Sequence, residues 1–468
     1  MVNQAKEHVS TLEARKLILE AVTELGYPKP LLVPTEQALE LLLAEDVLSN
    51  RNVPHYVASA VDGYAVVSGE TSGATPATIV RMGRDRCLWV NTGGPLPDWA
   101  DAVAMVEDTA LTENGEVLLS RGLPPGANVR PVGEDVMKGQ ILARKGERVG
   151  PALVALLLSA GVGAVPVFKK PKCLFIPTGD EICPMEEWLE TGEAVSGKVP
   201  ESNSALLKGI FRGWGIALDI HPILPDSAEL IEKTLDATAG RYDLVLIGAG
   251  TAKGKKDHTA EVIASQGKLL FRWLRMKPGR PAMLGKVKGA LVLGIPGFPM
   301  STTVAVWSLA YPAVNAMSGT LLEADDDSLV RQAVGASEVV ECELMLPHSS
   351  PPGVEEWLRV KAAEIEGKKV TWPLSSGAST MWAMHEADGY CLLPPETVEC
   401  PKGTGLKVWF TRKVNWRGRA LFQGSDDPAF SRIVTPVRQR GADLSIRAVG
   451  SLRSEEHTSE LQSHSFIS

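Results

Sequence analysis

The sequence predicts a multidomain α/β plus β protein, and three observations carry that reading. Its 468 residues are enough for about three or four domains at the usual domain size. Its 44 glycines and 32 prolines together exceed the roughly 12% typical of soluble chains, which points to many tight turns and short strands rather than a helical bundle. Between residues 173 and 317, strand-like and helix-like runs alternate, the order that builds a parallel sheet covered by helices. The expected parts are a parallel-sheet α/β domain, a split helical domain, an inserted β-rich lobe and a small C-terminal β domain.

The elements follow in chain order. Ser10-Thr11-Leu12-Glu13 reads as a capping box ahead of the apolar spacing Leu17, Ile18, Ala21, Leu25, so a first helix is expected to about Gly26. Thr35 opens a second helical pattern, EQALELLLAEDVL. From residue 57 to 146 the texture changes to short alternating runs (YAVV, TIVRM, LWVN, AVAMVE, VLLS, QILA) broken by Gly and Pro, the pattern of a β-rich insertion. PALVALLLSAG, from Pro151 to Gly161, reads as a buried helix too short to cross a membrane. Residues 1–48 with 147–172 are therefore expected to form the split domain, and 49–146 the inserted lobe.

Then come CLFIPTG, ALLKGIFRGWG, ALDIHPIL, SAELIEKTLDATAG and DLVLIGAG, followed by LVLGIPGFPMS and the helix TTVAVWSLAYPAVNAM, placing an α/β domain at 173–325. Residues 326–412 return to short strands. Residues 413–452 offer about one strand, one helix and one strand, too little to close a core, and RSEEHTSELQS within 453–468 reads as a translated sequencing adapter. Residues 413–468 are expected to be poorly packed, and a chain ending near Val414 to behave at least as well.

Composition excludes some classes. The net charge of −8 argues against bulk nucleic-acid binding. Six scattered cysteines without a CxxC pair indicate neither a disulfide framework nor a structural zinc site, and no signal-like or membrane-spanning segment is evident. A cytoplasmic protein without membrane attachment is expected.

Four turns at predicted strand ends could carry chemistry, since open α/β sheets bind ligands there. Ser59-Ala60-Val61-Asp62-Gly63-Tyr64 contains an Asp-Gly turn. Thr178-Gly179-Asp180-Glu181 sets two carboxylates after a strand, suited either to a hard divalent cation or to a helix N-terminus. The loop from Gly248 to Asp257, with Gly250, Thr251, Gly254 and three lysines, favours phosphate over a plain turn; it is neither a Walker A loop nor GxGxxG. Lys277-Pro278-Gly279-Arg280-Pro281 and Pro296-Gly297-Phe298-Pro299-Met300-Ser301 could build a rigid pocket for a tetrahedral oxyanion.

In order and spacing these segments, with ALELLLAEDVLSNRNVPHYVASAVDGYAV, NTGGPLPDWADAVAMVEDT, GANVRPVGEDVMKG, Ser202-Asn203, MKPGRP and ADGYCLLP, resemble the molybdopterin molybdenumtransferases, the family of bacterial MoeA and the gephyrin E domain, over about residues 10–412. The resemblance implies insertion of molybdate into adenylylated molybdopterin with release of AMP, a molybdopterin-binding-like α/β domain and a β-barrel-like C-terminal domain. It places Asp62, Thr92, Glu134, Asp135, Asp180, Glu181 and Asp257 around the active cleft, with Asp62, Thr92, Glu181 and Asp257 catalytic. Asp180, Glu181 and Asp257 would hold Mg2+, and Gly250, Thr251, Gly254, Lys277, Pro278, Arg280, Ser301, Arg359 and Ser379 would bind pterin phosphate or molybdate, the cations forming a shell without carboxylates.

A homodimer with a cleft shared between subunits is implied too, and an adenylyltransferase as possible partner. Gly248-Ala249-Gly250-Thr251-Ala252, PGFP and KPGRP depart from the commoner loops toward a subfamily fused to a periplasmic-binding-protein-like domain, whose opening residues 413–452 resemble. Molybdate and tungstate are equally compatible. A non-catalytic scaffold and a molybdate or tungstate sensor are the alternatives; metallate-dependent AMP release separates the enzyme from both.

Overall fold

The computed structural model describes residues 5–190, 197–249, 258–320, 326–374, 377, 380–416, 418–424, 428–440 and 443–448. The chain divides into two compact units, Pro30–Lys169 and the remainder.

The larger unit is built on a seven-stranded sheet in the spatial order Lys6–Val9, Lys268–Leu274, Met283–Val287, Ala290–Pro296, Leu244–Ala249, Cys173–Pro177, Leu218–Ile220. Four neighbouring strands, from Ala290–Pro296 to Leu218–Ile220, run parallel, as the alternating pattern predicts. Met283–Val287 is antiparallel to both neighbours, so the sheet is mixed. The strands are apolar throughout because both faces are buried. Phe175, Leu246 and Leu293 face one core with the helices Thr11–Glu24, Asn203–Gly213 and Tyr311–Met317. Ile176, Val245 and Val292 face the other with Ala228–Thr238 and His258–Gln266.

The first helix runs Thr11–Glu24, and the Ser10 hydroxyl accepts from the Glu13 amide at 3.1 Å. Glu13 itself pairs with Lys6 at 2.7 Å rather than reaching back to the cap. This helix buries Ala14, Ile18 and Ala21 in the α/β core, and Lys6–Val9 pairs in parallel with Phe271–Leu274. Residues 5–29 therefore sit with the α/β unit and not with residues 147–169, because their apolar stripe finds its partners there.

In the smaller unit, one core joins Ala38, Leu43 and Val47 to Ala143, Val149, Leu157, Val162, Val165 and Val167. Two others, around Val66, Ala102 and Leu119 and around Ala65, Val90 and Val103, lie in the β-rich segment. The second helical pattern is not a helix. A single turn at Thr35–Gln37 is followed by Glu40 at φ 63° and by bridges from Leu42 to Arg148 and Leu43 to Val167, so the run of leucines pairs across the chain instead of coiling. The helix Pro151–Ser159 exists as expected but buries only Leu157 fully and leaves Leu158 exposed.

Beyond the α/β sheet, Glu338–Leu344, Glu355–Ile365, Lys368–Pro373, Gly389–Leu393 and Gly405–Phe410 close into a small barrel around Leu344, Leu358, Val360, Leu393, Val408 and Phe410. Met276–Lys277 adds to its edge, parallel to Glu355–Glu356. Arg419–Gly424, Pro428–Gln439 and Asp443–Ala448 form the strand, helix and strand read from the sequence, the two strands parallel.

The segment after Val414 is not loosely attached. Val414 is buried in the barrel core, Trp416 meets Phe410 edge-on at 5.3 Å, and the Arg419 guanidinium is buried on Asp388 at 2.5 Å and on the Ala362 carbonyl at 2.7 Å. That corrects the expectation of poor packing for residues 414–419. Residues 449–468 lie outside the described residues.

Candidate active site

In the smaller unit the turn at Asp62 is shaped by close strand approach. Gly63 pairs with both Val90 and Met105, and a Cβ on it would fall 1.9 Å from the Ala104 carbonyl oxygen, so glycine is required. The preceding carboxylate is exposed, and its Oδ1 accepts from the Thr92 amide at 2.6 Å and the Thr92 hydroxyl at 3.0 Å. Those two bonds, the amide first, hold the Asp62 carboxyl below the usual carboxylate range. Asp62 and Thr92 are thus brought together. Glu134 and Asp135 are exposed on a separate turn, where Glu134 pairs with Arg130 at 2.5 Å.

In the larger unit the parallel strands deliver three turns to one edge of the sheet. The Thr178 hydroxyl donates to the Gly248 carbonyl, joining the Thr178–Glu181 turn to the start of the Gly-rich loop. Asn203 Nδ2 donates to the Gly297 carbonyl at 2.7 Å, joining the Ser202-Asn203 segment to the turn after Ala290–Pro296. Asp180 and Glu181 are exposed; Asp180 Oδ1 accepts from the Asp226 amide at 3.0 Å, and its carbonyl from Lys198 at 2.6 Å. Gly250, Thr251, Gly254, Asp257 and Ser379 lie outside the described residues, and among the described residues no cluster of three metal-ligating side chains occurs.

The two proline-rich turns also meet. Gly279 has φ 107°, and a Cβ there would lie 2.5 Å from Met276 Cε and 3.4 Å from the Ser301 carbonyl. Ser301 is buried in the first turn of the helix Pro299–Ala305. Arg280 is exposed, its guanidinium 5.9 Å from the Trp273 ring.

Lys277 and Arg359 have company the sequence did not disclose. Lys277 Nζ lies 2.7 Å from Glu356 Oε1, and Glu356 Oε2 lies 3.0 Å from His348 Nε2, so the expected shell of cations without a carboxylate is corrected at this position. Burial alone would raise the Glu356 carboxyl, but hydrogen bonds from His348 and Lys277 override it and hold it at about 2. Arg359 is buried, donating to the Thr380 hydroxyl at 3.0 Å and the Gly377 carbonyl at 3.1 Å, and desolvation lowers its pKa. Glu356 and Arg359 stand three positions apart on one continuous strand and so project to opposite faces. A legible signal for Glu356 existed: it occupies the same alternating register as Leu358 and Val360, where a charge must be paired. No local pattern announces His348 or Thr380.

Residues 9–161 match the family described as "MoeA N-terminal region (domain I and II)", and residues 175–316 match "Probable molybdopterin binding domain". The molybdopterin molybdenumtransferase of Haemophilus influenzae is 30% identical over 297 residues, which cover 61% of this chain and 72% of that protein. Molybdopterin molybdenumtransferase 2 of Mycobacterium tuberculosis is 28% identical over 405 residues, 81% of this chain and 95% of its own. A crystal structure of the molybdopterin biosynthesis MoeA protein of Pyrococcus horikoshii superposes with a TM-score of 0.65 at 27% identity, covering 87% of this chain and all of the other; a second superposes at 0.58.

Proposed function

The chain belongs to the molybdopterin molybdenumtransferase family and is an enzyme of molybdenum cofactor biosynthesis that inserts molybdenum; we propose that its substrate is adenylylated molybdopterin and that insertion releases AMP. The observation that carries this reading is the convergence of the Thr178, Gly248 and Gly297 turns at the C-terminal edge of the parallel strands, the position at which such sheets bind ligands.

The residues divide the work by charge. Lys277, Arg280, Arg359 and the hydroxyls of Ser301 and Ser379 suit the pterin phosphate and the molybdate dianion, with Pro278 fixing the turn that carries the lysine. Gly250, Thr251 and Gly254 would cradle phosphate through backbone amides. Asp62, kept ionised by Thr92, supplies a fixed negative charge.

Asp180 and Glu181 are exposed, adjacent oxygen donors, which fits a hard divalent cation, and with Asp257 they would hold Mg2+. Bound there, the ion would neutralise phosphate oxygens as the phosphoanhydride breaks. Molybdate or tungstate is the second substrate.

The same reading makes the protein a cytoplasmic homodimer supplied by a molybdopterin adenylyltransferase. Residues 30–48 and 141–169, which share one core, would serve as the linking domain around the inserted lobe. Residues 413–452 would open a periplasmic-binding-protein-like domain.

Asp257→Asn tests the assignment. The amide keeps the shape and any helix-capping role, so folding is preserved, whereas AMP release slows by on the order of a hundredfold or more as metal binding weakens. Single-turnover assays across a magnesium titration measure this; wild-type rates at every concentration leave Asp257 with capping alone. A strictly monomeric active chain in sedimentation defeats the shared cleft.

A further inference from the structure

The Lys277 ammonium, which the reading above places on an incoming oxyanion, already has a buried counter-charge behind it. The Glu356 side chain is 2% exposed and the Lys277 side chain 37%. Both Glu356 oxygens are engaged, one by Lys277 at 2.7 Å and the other by His348 at 3.0 Å. An ammonium carries three donors, so the bond to Glu356 fixes its direction and still leaves it donors to present outward. The backbone reinforces the aim: Lys277 and Glu356 are partners in the parallel register that joins Met276–Lys277 to the barrel strand, and the turn that follows depends on Gly279 at φ 107°.

Two consequences follow from charge alone. A dianion on Lys277 also feels the carboxylate one ion-pair length behind it, so the pair binds an oxyanion less tightly than a lone lysine would. Tight binding of the ground state does not itself speed a reaction, whereas a donor held in the reacting geometry does.

We propose that Glu356 is a positioning residue for oxyanion insertion: it aims the Lys277 ammonium and, as its counter-charge, keeps ground-state capture of the tetrahedral oxyanion weak. The inference rests on Lys277 touching that oxyanion, and its tests separate the two ideas.

Turnover of the full chain with adenylylated molybdopterin gives kcat and the apparent KM for molybdate. In Glu356→Gln the amide oxygen still accepts from Lys277 and the amide group still meets His348, but the negative charge is gone. The apparent KM for molybdate should fall by on the order of tenfold, with kcat lowered because the ammonium is less firmly held. Glu356→Asp keeps the charge and withdraws it by one methylene; kcat should fall with no decrease in KM. A purely structural role cannot produce this split, since it would weaken both variants alike and raise KM in each.

Lys277→Met is the reference. If it raises KM for molybdate while Glu356→Gln leaves KM unchanged or higher, Lys277 binds the oxyanion and the role given to Glu356 is wrong. If Lys277→Met leaves KM unchanged, the oxyanion does not touch Lys277 and both ideas fail. Thermal unfolding of each variant identifies a collapsed barrel, and a folded Glu356→Gln with wild-type kcat and KM overturns the proposal.

Discussion

The carboxylate at Asp62 and the carboxylates at Glu356 and Asp388 show two ways of holding an acidic side chain in place. Asp62 is exposed and is held by an amide and a hydroxyl of one residue, Thr92, in a turn that glycine makes possible. Glu356 and Asp388 are buried and are held by groups that arrive from other segments: the Lys277 ammonium and the His348 ring for one, the Arg419 guanidinium and the Ala362 amide for the other. In the first arrangement removal of a partner changes ionisation and little else, because water replaces it. In the second, no water replaces the partner, and the uncompensated charge destabilises the fold. The exposed acid stays open to whatever approaches it, and the buried ones tie separate segments of the barrel together.

The largest test is at Arg419. Its guanidinium forks onto both Asp388 oxygens and the Ala362 carbonyl, and the arginine and aspartate side chains are 6% and 3% exposed. Arg419→Ala leaves a buried carboxylate unpaired and should cost the barrel about 3–5 kcal/mol in denaturant unfolding. Ending the chain at Val414 should do the same. That reverses the expectation drawn from sequence, in which the shorter chain behaves at least as well. An unchanged unfolding midpoint in both would erase the contrast between the two kinds of acid.

Glu356 sharpens the contrast through pH. Its carboxyl stands at about 2 in the folded protein against an ordinary 4.5. A depressed acid contributes stability that is fully present above its unfolded value and is lost as pH falls through the folded one. Between about pH 4.5 and 2 the wild-type barrel should therefore lose on the order of 3 kcal/mol that Glu356→Gln never had. Parallel acid-unfolding curves for the two proteins would show that the lysine and histidine do not hold the carboxylate as described.

The same contrast explains what could be read from the sequence. The parallel strands were legible because burial on both faces makes them apolar runs between turns, and Asp62 and Thr178–Glu181 were legible because turn chemistry is local. The strand Lys6–Val9 was not, since KEHV becomes a strand only by pairing with residues 271–274. The EQALELLLAEDVL pattern misled for a related reason. Periodicity indicates helix only if one face finds a core, and here Leu42 and Leu43 bridge instead to Arg148 and Val167. Ion pairs such as Lys277–Glu356 and Asp388–Arg419 join segments whose proximity only the closed barrel creates. Alternation along the strand marks Glu356 as a charge that needs a partner, but charge spacing along the chain does not say which cation meets it.

The smallest expected effect is at Thr92, and it probes whether exposure alone makes Asp62 tunable. Thr92→Val is nearly isosteric and removes the hydroxyl donor at 3.0 Å while the amide donor at 2.6 Å remains. Since the amide is the larger of the two causes, the Asp62 carboxyl should rise part of the way toward the ordinary carboxylate range and stop short of it. Thr92→Ser, which restores a hydroxyl, should return it. Because the carboxylate is exposed, any change in global stability at neutral pH should be small, and the loss of stability on acidification should be smaller than in the wild type and complete at slightly higher pH, since the folded carboxyl picks up its proton earlier while the unfolded chain titrates as before. A side-chain carbon NMR titration of Asp62 in the three proteins measures the shift directly. A rise all the way to the ordinary range would make the hydroxyl the dominant partner and the amide incidental. No rise at all would mean that the turn's backbone alone sets the charge and that the Thr92 hydroxyl is incidental to it.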